Sequence, residues 1–68
     1  MLYSIKFIWQ NDEGNFQEKI LNLPHVPALK TKVITPSFEG EVFGVTYNAI
    51  KMYSFEPDFI VHLSNFDI

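Results

Sequence analysis

The stretch Tyr3-Ser4-Ile5-Lys6-Phe7-Ile8-Trp9-Gln10 decides the fold prediction, because large apolar side chains alternate along it. A period of two is typical of a β-strand with one buried face. The side chains expected on that face are Tyr3, Ile5, Phe7 and Trp9. The next five residues, Asn11 to Asn15, are turn formers, and Gly14 can adopt a positive φ. We therefore predict a strand that begins a β-hairpin.

The returning segment, Phe16 to Leu23, allows two interpretations. Alternation predicts a strand, whereas the spacing of Phe16, Ile20 and Leu23 also fits a helix. A helix of this length is marginal in water, and Pro24 disfavours helical geometry at the residue before it. We favour the strand, followed by an extended connector from Pro24 to Pro27.

Three further strands are predicted, over Thr31 to Thr35, Glu41 to Tyr47 and Phe59 to Ser64. In the second of them, alternation places Phe43, Val45 and Tyr47 on one face and Val42, Gly44 and Thr46 on the other. A glycine in mid-strand also predicts a bulge, a bend or a close backbone approach. Asn48 to Phe55 stays open between a continued strand and a long loop, and Phe66 and Ile68 are expected in a short tail.

Five short strands at about ten-residue spacing predict a single all-β domain over residues 1–68. We expect a five-stranded antiparallel sheet that curls into an SH3-like or OB-like barrel, with the choice between a closed barrel and an open sheet undecided. A chain of 68 residues has room for one hydrophobic core. Because it has no cysteine, packing or a partner must supply the stability.

The segment from Lys32 to Val45 resembles the short KOW-type motif of SH3-like domains, in its apolar strand, its Phe38-Glu39-Gly40 turn and its second Gly-containing strand. The resemblance covers about a fifth of the chain and implies a barrel-like hairpin. Glu39 and Glu41 depart from the motif, since they are acidic where such domains tend to be basic. The resemblance therefore implies little about RNA binding.

The charge balance argues against nucleic acid as the main partner. The formal net charge is -3, and all five basic residues are lysines. Nucleic-acid binders usually carry a basic patch in which arginine contacts phosphate and guanine. The sequence also has no apolar run of about 18 residues and no signal-peptide pattern at Met1 to Lys6. We expect a cytoplasmic protein with no membrane partner.

No residue pattern predicts catalysis. Cysteine is absent, and the three glycines are dispersed rather than gathered in a phosphate-binding loop. His25 and His62 lie far apart in sequence, and Asp58 would sit about 13 Å from His62 along a strand. We therefore predict no catalytic, cofactor-binding or metal-binding residue, no small-molecule substrate, and a protein that is not an enzyme.

The aromatic content exceeds what so small a core can enclose, because 16% of the residues are aromatic and each ring buries roughly 150–250 Å². We expect apolar residues outside the core to contact a partner; they are Leu2, Ile8, Ile60, Tyr53 and Phe55. If the first and last strands pair, Ile8 and Ile60 join into one patch. The leading hypothesis is a protein-interaction module that binds another protein or forms a homodimer. A phage or mobile-element accessory or inhibitor protein would fit it.

The alternative hypothesis is a small SH3-like or OB-like nucleic-acid-binding domain. In it, Tyr47, Tyr53 and Phe55 would stack on bases. The phosphate contacts would come from Lys30, Lys32 and Lys51.

Overall fold

A computed structural model describes residues 1–64, and within them five strands form one sheet. The strands are β1 (Tyr3–Gln10), β2 (Phe16–Leu23), β3 (Lys32–Ile34), β4 (Glu39–Tyr47) and β5 (Phe59–Ser64). Their order across the sheet is β2-β1-β5-β4-β3. The all-β prediction is confirmed, and so is the strand interpretation of residues 16–23. The tail expected at Phe66 and Ile68 lies outside the described residues.

The sheet is mostly antiparallel, as predicted, but it is mixed because it contains one parallel pair. β1 and β5 pair in parallel, whereas the β1–β2, β4–β5 and β3–β4 pairs are antiparallel. Short hairpin turns impose antiparallel pairing, but no turn joins β1 to β5, since three strands lie between them in the chain. Their relative direction is therefore set by packing in the centre of the sheet, where local sequence patterns carry no information.

The core lies on one face of the sheet. Its buried side chains are Ile5, Phe7, Phe38, Val42, Val61 and Leu63. The alternation predicted for β1 is confirmed, because Ile5 and Phe7 are fully buried and Tyr3 and Trp9 pack against the same cluster. Val26, from the connector between β2 and β3, also packs against it.

The turn between β3 and β4 curls the sheet. The Thr35 hydroxyl accepts hydrogen bonds from the N–H groups of Ser37 (3.2 Å) and Phe38 (3.0 Å), an arrangement that fixes a tight turn. Phe38 then stacks on Trp9 of β1, with ring centroids 4.3 Å apart. Across the opening, the Lys19 ammonium donates to the Ser37 hydroxyl at 3.4 Å. The result is a curled half-barrel, because β2 and β3 remain the edges of the sheet.

A β-bulge interrupts β4. Val42 lies opposite Leu63 and Gly44 lies opposite His62, so Phe43 is the additional residue. The bulge confirms one of the structures predicted from Gly44, but it corrects the expected faces. Before it Val42 is buried in the core, and after it Val45 is the residue opposite the core valine Val61. Val42 and Val45 therefore share a face, and Phe43 is displaced to the other.

The segment left open between strand and loop is a loop over residues 48–58. The Asp58 carboxylate accepts a hydrogen bond from the Ser4 N–H at 2.9 Å, and the Asp58 N–H donates to the Ser4 carbonyl at 2.7 Å. The Asn48 side-chain amide donates to the Pro57 carbonyl at 3.0 Å. These contacts hold both ends of the loop beside the first residues of β1.

Candidate interaction face

The face of the sheet opposite the core, which we call the outer face, carries several apolar side chains. In the parallel β1–β5 pair, Ile60 lies opposite Lys6 and Ile8 lies opposite His62. Ile8 and Ile60 are thus diagonal neighbours in the middle of the sheet, and both are partly exposed. Within residues 1–64 no helix or second sheet packs on them. The pairing that would join these isoleucines is confirmed, while their role as an interface stays a prediction.

Two phenylalanines stand at the sides of this centre. Phe16 begins β2 and is 75% exposed, and Phe43 at the β4 bulge is 63% exposed. Both line a pocket of about 230 Å³, together with Ile8 and His62. The Phe43 ring lies 5.9 Å from the His62 ring, tilted by 47°. This pocket therefore lies where β1 and β5 end, between two exposed aromatic rings, and Gln10 and Ser64 add polar groups to its lining.

The outer face carries an ion pair beside its apolar centre. The Lys6 ammonium lies 3.8 Å from the Glu18 carboxylate, on neighbouring strands. The Glu18 side chain is largely exposed, so solvent screens this pair and it contributes little to stability. The pair is nevertheless one positive and one negative group beside an apolar centre, which favours a partner surface of the same mixed character.

The other residues predicted for protein interaction lie at one end of the sheet. Tyr53 and Phe55 belong to the 48–58 loop, are exposed, and stack on each other with centroids 5.3 Å apart. Leu2 precedes β1 at that same end and is exposed. The structure thus brings Ile8 and Ile60 together in mid-sheet and places the remaining three at the sheet end.

The residues of the nucleic-acid alternative are divided between two ends of β4. Tyr47 ends the strand, and the loop with Tyr53, Phe55 and Lys51 follows it. Lys32 pairs with Glu41, six residues before Tyr47, and the Lys30 N–H donates to the Val42 carbonyl. At about 3.3 Å per residue, this separation is about 20 Å. The structure does not bring the three lysines together.

Four outer-face residues were missed from the sequence: Phe16, Ile20, Phe43 and His62. Phe16 could have been found from the hairpin, since a five-residue turn that pairs Gln10 with Phe16 puts both on the polar face of β1. Phe43 could not, because only the bulge moves it to this face. The contact of His62 with the Phe43 ring depends on the same bulge.

One carboxylate has a perturbed titration. The Ser4 N–H and the Lys51 ammonium, which lies 3.0 Å away, hold the pKa of Asp58 below its ordinary value. Hydrogen bonds and a nearby positive charge both favour the ionised form. Asp58 is therefore a charged anchor of the 48–58 loop at neutral pH.

Comparison with known protein families, with curated proteins and with solved structures gave no significant match. Residues 1–64 contain no helix of the length and apolarity needed to cross a membrane. In the same residues, no three histidine or acidic side chains are grouped as metal ligands would be.

Proposed function

We propose that this domain is a non-enzymatic protein-interaction module that binds through its outer face, and that the occupant of that face is a second copy of the chain. The observation that carries the proposal is the pair of exposed rings, Phe16 and Phe43, on either side of Ile8. Two phenylalanines with these exposed fractions present on the order of 300 Å² of apolar surface. Apolar patches of this size on small proteins are often binding sites.

Self-complementarity favours a second copy. In a two-fold symmetric pair, each residue of one copy faces a defined residue of the other. Such an axis near Ile8 would place Lys6 of one copy toward Glu18 of the other, and the apolar centres against each other. The presence of both signs on the face avoids the repulsion that a single-sign surface would suffer.

The area of the face predicts a weak dimer. Four strands about 4.8 Å apart and three rows of side chains about 6.6 Å apart cover roughly 400 Å² per copy. Stable interfaces bury about 800 Å² per partner, and smaller ones are transient. We therefore expect an association in the high-micromolar to millimolar range rather than an obligate dimer.

Titration of the protein concentration in ¹⁵N–¹H NMR spectra tests the occupant. The amide signals of Lys6, Ile8, Ile60 and His62 should shift as concentration rises, and Phe43→Ala should suppress the shifts. A matched pair of variants separates interface from general effects: Ile8→Ala with Ile60→Ala should weaken association, whereas Ile50→Ala, in an 83% exposed loop position, should not. A monomer with unchanged spectra up to millimolar concentration would contradict the second copy.

We also propose that the curled sheet is an SH3-like or OB-like barrel. What supports it is the curl that brings Lys19 of β2 within 3.4 Å of Ser37 beyond β3. Full closure would require hydrogen bonds between the two edge strands. Slow hydrogen exchange of the β2 amides that point away from β1 would support a closed barrel in solution. Rapid exchange of the same amides would support the open half-barrel.

The second candidate function is nucleic-acid binding, which the exposed stack of Tyr53 on Phe55 favours. Exposed aromatic rings of this kind can stack on nucleic-acid bases without sequence preference. Lys51 is the lysine of this loop, and its ammonium is 3.0 Å from the Asp58 carboxylate. Titration with single-stranded oligonucleotides at low and high salt tests this function, because phosphate contacts make affinity fall with salt. No binding at low salt would reject it.

A further inference from the structure

The sheet end beside the 48–58 loop contains an aromatic cleft that is separate from the outer face. The cleft has a volume of about 600 Å³ and is lined by Met1, Leu2, Tyr3, Tyr47, Asp58 and Phe59. Three of these residues are aromatic, and they come from three adjacent strands, β1, β4 and β5. Its rings stand on the core side of the sheet, beyond the last buried residues.

The three aromatic rings of the cleft pack against one another. Tyr3 and Phe59 meet edge to face, with centroids 5.7 Å apart and planes at 84°. The Tyr47 ring also packs against Phe59, with ring centroids 5.1 Å apart and planes tilted by 35°. Tyr47 is 65% exposed, so its ring is open to a ligand. The open face of an aromatic ring carries a negative potential that attracts cations.

The cleft also contains a carboxylate, that of Asp58. Asp58 is the charged side chain among the residues that line the cleft, and its ionised form is stabilised by the Ser4 N–H. The Lys51 ammonium already sits 3.0 Å from Asp58 Oδ1, which shows that an alkylammonium group fits beside this carboxylate. The 48–58 loop holds one lysine and two acids, so its formal charge is -1. The cleft is therefore aromatic and contains one carboxylate, which the Lys51 ammonium contacts.

We propose that this cleft binds a cationic side chain of a protein partner, a lysine, methylated lysine or arginine, against Tyr3, Tyr47 and Phe59 with Asp58 as the counter-charge. The ligand's methylene stem would lie on Leu2 and its charged end on the open Tyr47 ring. Lys51 is the internal competitor for Asp58. The inference does not depend on the outer face, because the two sites share no residue.

Matched ligands test the charge requirement. The probes are the N-acetyl methylamides of lysine, trimethyllysine and norleucine, titrated into ¹⁵N-labelled protein. A cation over aromatic rings should make the trimethyllysine compound bind about 5- to 30-fold more tightly than the neutral norleucine compound. Shifts should centre on Tyr3, Tyr47 and Phe59. Equal affinity for all three compounds, or no shift with any of them, would overturn the proposal.

Three variants separate the cleft from a general loss of fold. Tyr47→Ala should abolish the preference for the cation, whereas Tyr47→Phe should retain it. Tyr47 is 65% exposed, so both variants should fold. Lys51→Met should tighten cation binding, because it removes the competing ammonium while preserving chain length. A Lys51→Met protein with unchanged or weaker affinity would contradict the role of Asp58. A final experiment uses vesicles of a lipid with a choline headgroup. If the protein bound these vesicles in preference to the trimethyllysine compound, the assignment of the ligand to a protein side chain would be overturned.

Discussion

Replacing Gly40 by alanine should strongly destabilise the protein. A Cβ atom at this position would lie 2.5 Å from the Ser64 carbonyl oxygen and 3.0 Å from the Leu63 Cβ. The closer of the two is a backbone atom, so no side-chain rotation can relieve the contact, and β4 and β5 would have to separate. Overpacking of this kind costs about 1–3 kcal/mol.

That cost is large for this chain. A domain of this size has a total unfolding free energy of about 3–10 kcal/mol at the usual value per residue. Each kcal/mol lowers the Tm of a small domain by roughly 4–8 °C, so we expect Gly40→Ala to lower it by about 5–20 °C. Thermal unfolding followed by circular dichroism measures the shift.

Gly44 provides the matched control in the same strand. Its nearest neighbour for a new Cβ is the His62 ring at 3.5 Å, which is an ordinary van der Waals contact. Alanine also reduces the entropy of the unfolded chain, so Gly44→Ala should leave the Tm unchanged or raise it by a few degrees. If Gly40→Ala were as stable as Gly44→Ala, the β4–β5 register described above would be wrong.

Three further predictions concern the core and the loop anchors. Phe38→Ala removes the ring that stacks on Trp9 at 4.3 Å and should cost about 3–5 kcal/mol, measured by urea unfolding; a loss under 1 kcal/mol would contradict its place in the core. Thr35→Ala removes the acceptor of two turn N–H groups and should cost about 1–2 kcal/mol in the same assay, while Thr35→Ser should be nearly neutral. Because the folded pKa of Asp58 is lowered by the Ser4 N–H and the Lys51 ammonium, its contribution to stability is present above the ordinary value of 3.8 and is lost as pH falls through the lower folded value. The Tm difference between wild type and Asp58→Asn should therefore shrink as the pH falls below about 4, and a constant difference would refute the anchor.

The strands were predictable because their causes are local. The alternation in Tyr3 to Gln10 and the turn formers after it specify a hairpin with one buried face. Pro24 similarly favoured a strand in the segment before it. These features need no knowledge of distant residues, and the structure agrees with them.

The arrangement of the strands was not predictable, because its causes are non-local. The parallel β1–β5 pair joins residues more than fifty positions apart, and no turn between them fixes the direction. The bulge is set by how β4 pairs with β5, and it moves Phe43 from its expected face to the outer face. The position of the 48–58 loop depends on contacts of Asp58 with Ser4.

The distinction between local and non-local causes also applies to the candidate sites. The patch of Ile8 and Ile60 could be proposed conditionally, since each isoleucine lies opposite the core face of its own strand. The aromatic cleft could not, because Tyr3, Tyr47 and Phe59 are distant in sequence and meet only through the sheet order. Single-strand periodicity identifies faces but does not identify which faces become neighbours.

Sedimentation equilibrium of the wild type beside Phe43→Ser, from about 20 µM to about 2 mM, tests whether the outer face binds a second copy of the chain. Phe43 is exposed, so its replacement should leave the fold intact while removing one side of the pocket between Phe16 and Phe43. We predict a wild-type mass that rises toward that of a dimer over this range and a variant that stays monomeric. Two identical curves, whether both monomeric or both dimeric, would contradict it.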